Sequence, residues 1–434
     1  MHHEQPTTVL LIAAFDSQLK WCSRIRQEFE RRGHPCRVVV PDIRSALSPG
    51  QVAEAGFRGV ERRTWADTVA LAAGSDVVVS GLAGPGTKQL SGALAAAAAD
   101  GTLPRPPVLV SGWVGIIIEK ITAGYLDRCG TDVVAVNSRA DLAHFRTAAE
   151  LLELPADNLL LTGLPFLSPR AAAPRGGPVR RVLFADQPTV PSSATDRRFL
   201  YGRLIDYAQA HPDRTVLLKP RHRPGEDTFH RMRHHPEDVL RGVPRPDNFR
   251  IDYTPIAEVV PDVDLLITMS STACLEAIDA GSRVALVLDL GVHERYGNHV
   301  FLDSGLLRTF AQIGRDELGA PQPEWQAGYF PELHRTATET LVDRAEELLR
   351  TGCRPAAAVW ASDYFTSSMA FERARAAASE TAAAQRASSA LRRRMHKHGN
   401  VAGLVAHAAV GLLPPVLSKP AANTAARLRL LKRH

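Results

Sequence analysis

The segment from Leu265 to Gly281 combines a short apolar strand, a turn of hydroxyl residues and a helix. Its first five residues have the length and apolar character of a buried strand, and Ser270–Thr272 stand at the turn that follows. The helical pattern ends at Gly281, and a second apolar strand is predicted directly afterwards, over residues 283–289. Buried strands that alternate with helices are typical of a parallel sheet, so this segment favours the α/β class.

The same alternation occupies two halves of the chain. A first strand is predicted at 9–14, residues 44–71 are predicted to be mainly helical, and the alternation restarts with a strand at 181–185. A length of 434 residues is also too great for a single core. We therefore predict two Rossmann-like domains. The predicted organisation is an N-terminal domain at 1–167, a Pro- and Gly-rich linker at 168–178, a C-terminal domain at 179–354, a closing helix at 355–380 and a tail at 381–434.

Positive charge is concentrated in the tail. The chain carries a net charge of +6, and residues 381–434 contain ten Lys or Arg and no Asp or Glu, so residues 1–380 carry −4. An acidic body argues against nucleic acid as a partner, because nucleic-acid enzymes usually have a basic patch on the folded domain. The apolar stretch Val401–Leu413 is too short to span a bilayer, and basic clusters flank it. The tail is expected either to lie as a helix on an anionic membrane surface or to be a disordered, Ala-rich extension.

The cysteines and the absence of common catalytic motifs exclude several classes of protein. Five scattered cysteines without a CxxC pair argue against a disulfide framework or a zinc site and favour a reducing cytosol. The sequence has no Walker lysine loop, no GxGxxG after a strand, no HExxH and no GxSxG, and no acidic pair stands at a suitable strand end. We expect a cytoplasmic enzyme that needs neither metal nor cofactor, with peripheral binding to the inner face of the plasma membrane if the tail binds lipid.

Two strand ends of the second half are expected to meet at one edge of its sheet. Lys219 ends one strand and is followed by Arg221 and His222, while Ser270–Thr272 follow another strand at a helix start. Cations, hydroxyl groups and helix N–H groups together suit a phosphate or diphosphate. Glu276, one helical turn further on, is placed to accept the two hydroxyls of a ribose. The alternative for the cations is a solvated loop, and the alternative for the hydroxyl residues is an ordinary helix cap. Glu276 could equally be an exposed helix residue.

Two parts of this pattern resemble known transferases. The two-domain layout resembles the GT-B glycosyltransferases. Lys219-Pro220-Arg221-His222-Arg223-Pro224 and Ser270-Ser271-Thr272 resemble the loop and helix start that bind the donor phosphate in bacterial sialyl-, polysialyl- and Kdo-transferases, which use CMP-activated sugars, and in teichoic-acid polymerases. In those families proline directly follows the histidine, whereas Arg223 follows His222 here. Either His222 or Arg221 therefore takes the place of the family histidine.

Over roughly residues 8–345 the chain is similar to a family of actinobacterial glycosyltransferases of unassigned substrate. The similarity rests on segments that occur in order: Asp16-Ser17, Lys20-Trp21, Gly112–Gly115, Gly124-Tyr125, Leu164–Phe166, Gln187-Pro188, Lys219–Glu226, His230, Ser270–Glu276, Gly291 and Phe301–Leu306.

This resemblance implies a nucleotide-sugar donor on the C-terminal domain and an acceptor on the N-terminal domain, across a cleft. The implied reaction is an inverting transfer, with CMP-sialic acid as the best-matched donor, to a cell-surface glycan or a lipid-linked acceptor. Asp16, at the end of the first strand, is the implied base, with a helix N-cap as its alternative role, and His222 or His230 is the implied proton donor. The implied donor contacts are Gln187, Lys219, Arg221, Ser270, Ser271, Thr272 and Glu276.

Two other functions remain open at this point. Teichoic-acid enzymes transfer a polyol phosphate from CDP-glycerol or CDP-ribitol, and the resemblance extends to them. The departure at Arg223 and the basic tail also fit a catalytically silent GT-B scaffold that binds a partner enzyme or a membrane.

Overall fold

The computed structural model of the protein describes residues 7–42, 47–226, 228–331 and 334–396. Two open sheets, each built entirely of parallel strands, organise these residues. The first sheet contains β1 (Val9–Ile12), β2 (Cys36–Pro41), β3 (Glu61–Arg63), β4 (Val77–Ser80), β5 (Val108–Gly112), β6 (Val133–Val136) and β7 (Leu159–Leu161). The second contains β8 (Arg181–Ala185), β9 (Thr215–Lys219), β10 (Phe249–Ile251), β11 (Leu265–Thr268), β12 (Arg283–Val287) and β13 (Leu307–Arg308).

Helices pack on both faces of each sheet. The helices up to Trp360 are α1 (Asp16–Arg31), α2 (Pro49–Glu54), α3 (Trp65–Ala73), α4 (Gly84–Ala99), α5 (Ile121–Leu126), α6 (Arg139–Leu151), α7 (Ala194–Ala210), α8 (Pro236–Val239), α9 (Ile256–Val259), α10 (Ala273–Asp279), α11 (Phe310–Gly314), α12 (Pro323–Tyr329), α13 (Ala337–Thr351) and α14 (Pro355–Trp360). A further helix, α15 (Asp363–His396), follows them in the chain.

The strand orders are those of doubly wound sheets. The first sheet runs β3-β2-β1-β4-β5-β6-β7, and the second runs β10-β9-β8-β11-β12-β13. In both, the order reverses beside the first strand, and that switch point is where open α/β sheets bind ligands. The predicted α/β class with two Rossmann-like domains is confirmed.

Buried strands supply both faces of each core. In β1, Val9 and Leu11 pack against the side of the sheet that carries α1, whereas Leu10 and Ile12 pack against the side of α4. All four side chains are at most 2% exposed. Successive side chains of a strand point to opposite faces, so a strand covered on both sides must be apolar throughout.

The segment predicted to be mainly helical, residues 44–71, differs from that prediction. Its described part contains α2 and the start of α3, but β3 lies between them and pairs with β2, with Glu61 opposite Val39. β3 is an edge strand of three charged residues, and it has no apolar alternation that would reveal it.

Helix α13 also lies elsewhere than its position in the sequence suggested. The sequence placed it in the C-terminal domain at 179–354, yet it packs against α1, β5 and β6 of the N-terminal sheet. Its apolar side joins the N-terminal core through residues that are fully buried: Leu341, Val342, Ala345 and Leu348. Its start is fixed by a capping box of Thr336 and Glu339. The chain therefore returns to its first domain after completing the second.

The linker is bound to the C-terminal domain rather than free. Ser168 N–H donates to Asp279 Oδ2 at 3.1 Å, and Arg175 N–H donates to the Gly281 carbonyl at 2.8 Å. Leu164 and Leu167, just before it, pack into the C-terminal core.

The described residues up to Ser362 form one compact unit, and Asp363 begins another, whose described part is the 34-residue helix α15. The segment Val401–Leu413, predicted either to lie on a membrane or to be a disordered extension, falls outside the described residues. Within the described ranges, none of the helices combines the length and the apolar character that a bilayer span requires.

Candidate active site

An ion pair joins the carboxyl ends of the two sheets. Asp16, the first residue of α1, follows β1 closely, and its side chain is 6% exposed. Arg221, two residues beyond β9, donates from Nη2 and Nε to Asp16 Oδ2 at 2.6 and 3.1 Å. The N-cap of α1 is Phe15, so the Asp16 carboxylate faces the other domain instead of capping its helix.

The charges around Asp16 favour its ionised form. Burial raises the pKa of Asp16, but the charge and hydrogen bonds of Arg221, with help from Lys20, outweigh burial and lower that pKa below its usual value. The carboxylate is therefore ionised and already paired at neutral pH.

Helix α1 presents a charged stripe to the opposite domain. Asp16, Lys20 and Arg24 recur every four residues, which places them on one side of the helix. Lys20 Nζ lies 3.0 Å from Glu54 Oε2, and both Lys20 and Arg24 act electrostatically on Glu276 of the C-terminal domain. The N-terminal domain thus contributes cations as well as a carboxylate to the site.

Lys219 is a half-buried cation at the end of β9. Burial lowers its pKa, and repulsion from Lys20 and Arg221 lowers it further, while Glu54 and Asp252 act in the opposite sense. Because burial and neighbouring cations disfavour the charged form of Lys219, a bound phosphate would stabilise that form.

His222 supports the loop between β9 and α8. Its side chain is buried; Nε2 accepts from Met232 N–H at 3.1 Å, which makes Nδ1 the protonated nitrogen that donates to the Arg223 carbonyl at 2.9 Å. His235 Nε2 donates in turn to the His222 carbonyl at 3.0 Å. Both ring nitrogens of His222 are thus engaged by backbone, and the exposed Arg223 lies over the Tyr253 ring at 4.5 Å.

His230 is the histidine that lies beside the ion pair. Its ring meets Phe229 edge-on, with centroids 4.9 Å apart, and meets Phe15 of the N-terminal domain at 5.7 Å. Burial lowers its pKa, and Arg221 lowers it further against the opposite influence of Asp16. Within the described part of the chain, the ring forms no hydrogen bond, so its neutral form prevails at pH 7 and can accept a proton.

The hydroxyl turn after β11 is largely engaged by the protein. Ser270 is 1% exposed, and its Oγ donates to the Tyr296 carbonyl at 2.6 Å. Gln187 Oε1 accepts from Ser270 N–H at 2.9 Å, so Gln187 supports the turn from behind. The backbone N–H groups of Ser271 and Thr272 donate to no group in the described part of the chain. Helix α10 has only seven residues, so its dipole is short. The N–H groups of Ser271 and Thr272 are therefore the feature of this turn that suits an anion.

A loop of the N-terminal domain lies directly on this turn. Thr272 Oγ1 accepts from Ile116 N–H at 3.1 Å. A Cβ added to Gly115 would meet Thr272 Oγ1 at 2.6 Å, so only glycine permits this approach. Asn137 Nδ2 fixes the loop by donating to the Gly115 carbonyl at 2.8 Å.

Glu276 faces the site from α10. Its carboxylate is half-buried and forms no hydrogen bond to any described residue. Burial raises its pKa, and Lys20, Arg24 and Arg221 oppose that effect. A carboxylate without a partner in a cleft is suited to accept hydroxyl groups of a ligand.

The structure therefore brings together most of the predicted residues at the junction of the two sheets. Those at or beside the junction are Asp16, Lys219, Arg221, His230, Ser271, Thr272 and Glu276, while Gln187 and Ser270 lie behind the turn and His222 lies inside its loop. Sequence reasoning missed the interdomain contacts of the β9–α8 loop. Glu226 accepts from Ser48 Oγ, Thr228 Oγ1 accepts from Gln51 Nε2 at 3.2 Å, and Phe229 stacks on Phe15 at 4.8 Å. The four-residue spacing along α1 was the one signal that could have revealed Arg24.

A family profile described as "Putative glycosyltransferase (DUF6716)" matches residues 9–348, from β1 to α13. The chain belongs to that family. The protein is accordingly an enzyme of the glycosyltransferase class, and the matched region contains both sheets and every site residue described above. No curated protein sequence matches the chain.

Solved structures share the architecture at low identity. A "putative UDP-N-acetylglucosamine 2-epimerase" from Listeria monocytogenes is 11% identical with a TM-score of 0.52, covering 81% of this chain and 99% of its own. The S. aureus MnaA–UDP co-structure is 11% identical with a TM-score of 0.52, covering 79% and 97%. The spinosyn forosaminyltransferase SpnP is 15% identical at a TM-score of 0.45, covering 80% and 100%. The GT-B-like layout predicted for this glycosyltransferase family member is confirmed.

Proposed function

We propose that the protein transfers a sugar from a nucleotide-activated donor to an acceptor hydroxyl at the cleft between its two sheets. The observation that supports this most directly is the contact between Arg221 and Asp16. It places a phosphate-binding cation of one domain beside a carboxylate of the other, which is the arrangement that a transfer between two substrates requires.

The donor would lie on the C-terminal domain. Lys219 and Arg221 would neutralise its phosphate, the N–H groups of Ser271 and Thr272 would donate to phosphate oxygens, and Glu276 would accept the ribose hydroxyls. The same cations would stabilise the charge that develops on the departing phosphate. A CMP-sugar such as CMP-sialic acid is the donor we would test first, and a UDP-sugar second.

The acceptor would lie on the N-terminal domain beside Asp16, with Asp16 as the base that takes its proton. His230, neutral at pH 7 and adjacent, is the second candidate for that role rather than a proton donor. His222 would keep the loop of Arg221 in shape, because both its ring nitrogens are already bonded. The basic tail supports a glycan or lipid-linked acceptor at an anionic membrane surface.

The test is release of nucleotide from CMP-sialic acid, UDP-N-acetylglucosamine and GDP-mannose, together with thermal stabilisation by CMP, UDP and GDP. Lys219→Met removes a charged phosphate contact. It should weaken binding by about 10- to 150-fold, the equivalent of about 1.5–3 kcal/mol.

The matched control is Arg180→Gln, which removes an exposed cation next to the start of β8, at the opposite edge of the same sheet. It should bind nucleotide as the wild type does. Equal losses in both variants, or stabilisation by none of the nucleotides, would contradict the assignment of the cleft. Stabilisation by UDP and not by CMP would reject the CMP-sugar donor alone.

A further inference from the structure

We propose that the donor phosphate and the Asp16 carboxylate compete for Arg221, so that Asp16 becomes available to the acceptor only after a donor has bound. This inference rests on the proposed function of the cleft and adds a regulatory step to it.

The first argument is the geometry of the ion pair. Both Nε and Nη2 of Arg221 point to one oxygen, Asp16 Oδ2. Those two nitrogens form the side of the guanidinium fork that also binds phosphate oxygens. In the absence of donor, therefore, this edge of Arg221 is already occupied by the residue that would act as base.

The second argument is the position of the two partners. The Asp16 side chain is 6% exposed, whereas that of Arg221 is 37% exposed, so a ligand in the cleft can reach the arginine while it remains paired. The other charged or titratable groups that act on Asp16 or lie beside it are Lys20 on its own helix and His230 on the β9–α8 loop. Lys20 is held by Glu54 at 3.0 Å, so it is not placed to replace Arg221 fully.

The third argument is that the arginine can move without the domains separating. The loop that carries Arg221 is attached to the N-terminal domain independently, through Glu226 on Ser48, Thr228 on Gln51 and the stacked Phe229. Transfer of the guanidinium from carboxylate to phosphate thus requires a side-chain rearrangement only. The carboxylate then loses its main partner, and a less strongly paired carboxylate is a better proton acceptor.

The competition is tested by a double-mutant cycle in the full-length protein, with UDP and CMP as probes in calorimetric titrations. Asp16→Asn keeps the shape of the side chain and removes its charge, which leaves Arg221 available. The variant should bind the nucleotide about 5- to 50-fold more tightly than the wild type, a typical size for coupling between two sites. Asp16→Ala provides a second version of the same change if the asparagine variant does not fold.

The cycle is completed in an Arg221→Gln background. If Asp16 acts by occupying Arg221, removing Asp16 there should give no tightening, whereas a general effect of negative charge would tighten binding equally in both backgrounds. Thr228→Val removes the hydroxyl that accepts from Gln51 Nε2, so it breaks a contact between the domains without releasing Arg221. It should not tighten binding.

Nucleotide binding that is unchanged or weaker in Asp16→Asn and Asp16→Ala would overturn the competition and leave the proposed function intact. Tightening that persists with Arg221→Gln would do the same. Absence of nucleotide binding in the wild type and every variant would overturn both.

Discussion

The buried pair of Asp186 and Arg197 provides the sharpest test of how the donor side is built. Both side chains are 1% exposed, and Arg197 Nη1 lies 3.1 and 3.0 Å from the two carboxylate oxygens of Asp186. Arg197 Nη2 donates to the carbonyls of Gln187 and Pro188 at 2.6 and 2.8 Å. The residue that supports the hydroxyl turn is thus held in place by this arginine.

Replacement of Arg197 by methionine removes these donors and leaves the Asp186 carboxylate buried. Among the described residues, the donors that would remain to it are Tyr201 Oη, at 2.6 Å, and Gln187 N–H, at 2.9 Å. Breaking a buried pair in this way costs about 3–5 kcal/mol, which corresponds to a fall in Tm of about 6–20 °C for a domain of this size. Nucleotide binding should weaken as well, because Gln187 loses its anchor.

The measurement is urea or thermal denaturation followed by circular dichroism, with Arg203→Met as the matched control. Arg203 lies on the same helix, but it and its partner Asp206 are 50% and 55% exposed, so its loss should cost at most about 1 kcal/mol.

The pH dependence supplies a second readout. Burial raises the pKa of Asp186 even with Arg197 present, and loss of the opposing charge in Arg197→Met would raise it further. The folded variant would therefore bind a proton more readily than the unfolded chain, and it would lose more stability than the wild type as pH rises. The destabilisation should therefore be larger at pH 8 than at pH 5. A loss no greater than that of the control, or a loss independent of pH, would refute the argument that an uncompensated carboxylate is the cause.

Three further predictions follow from the same structure. Gly115→Ala should destabilise the protein by about 1–3 kcal/mol in denaturation, and Thr272→Ala added to it should restore part of the loss, because the new Cβ meets Thr272 Oγ1; no recovery in the double variant would argue against that clash. The loss of stability on acidification should be smaller in Asp16→Asn than in the wild type. The lowered pKa of Asp16 gives the wild type stability that is present above its unfolded pKa of about 3.9 and is lost as pH falls through the folded pKa. Identical acid transitions in the two proteins would contradict this. A thiol reagent should label the exposed Cys353 in the native protein. Three buried cysteines should stay unlabelled until the protein unfolds, because burial shields them and raises the pKa of their thiols: Cys22, Cys129 and Cys274. Labelling of those three in the native protein would show that the cores open readily.

The fold could be predicted where burial dictates composition. The central strands are apolar on both faces, as in Leu265–Thr268, so their positions are visible in the sequence. The edge strand β3 gave no such signal, because one side of an edge strand lacks a partner and tolerates charge. Helix α13 showed a clear amphipathic pattern, but amphipathicity indicates only that a helix packs, not which sheet it packs against.

The candidate site likewise has parts that the sequence predicts and parts that only the folded structure reveals. Strand ends and a hydroxyl turn could be assigned to one sheet edge by topology alone, which located Lys219 and Ser271. The Asp16–Arg221 contact joins residues 205 positions apart in different domains, and only the packing of the two domains creates it. The bonds of His222 to backbone at Arg223 and Met232 depend on the path of an irregular loop, which residue type does not specify.

The return of α13 to the first sheet has a consequence for how the protein is made on the ribosome. The last strand of the N-terminal sheet ends at Leu161, but the helix that completes its core ends at Thr351, 190 residues later. At about 5–20 residues per second, that interval lasts about 10–40 s. Each fully buried Val or Leu that α13 supplies contributes about 1.5–3 kcal/mol to stability. The nascent N-terminal domain lacks that contribution and exposes an apolar groove until synthesis of the second domain is finished. Ribosome-bound chains that stop between the two points should therefore depend on chaperones and be open to proteases.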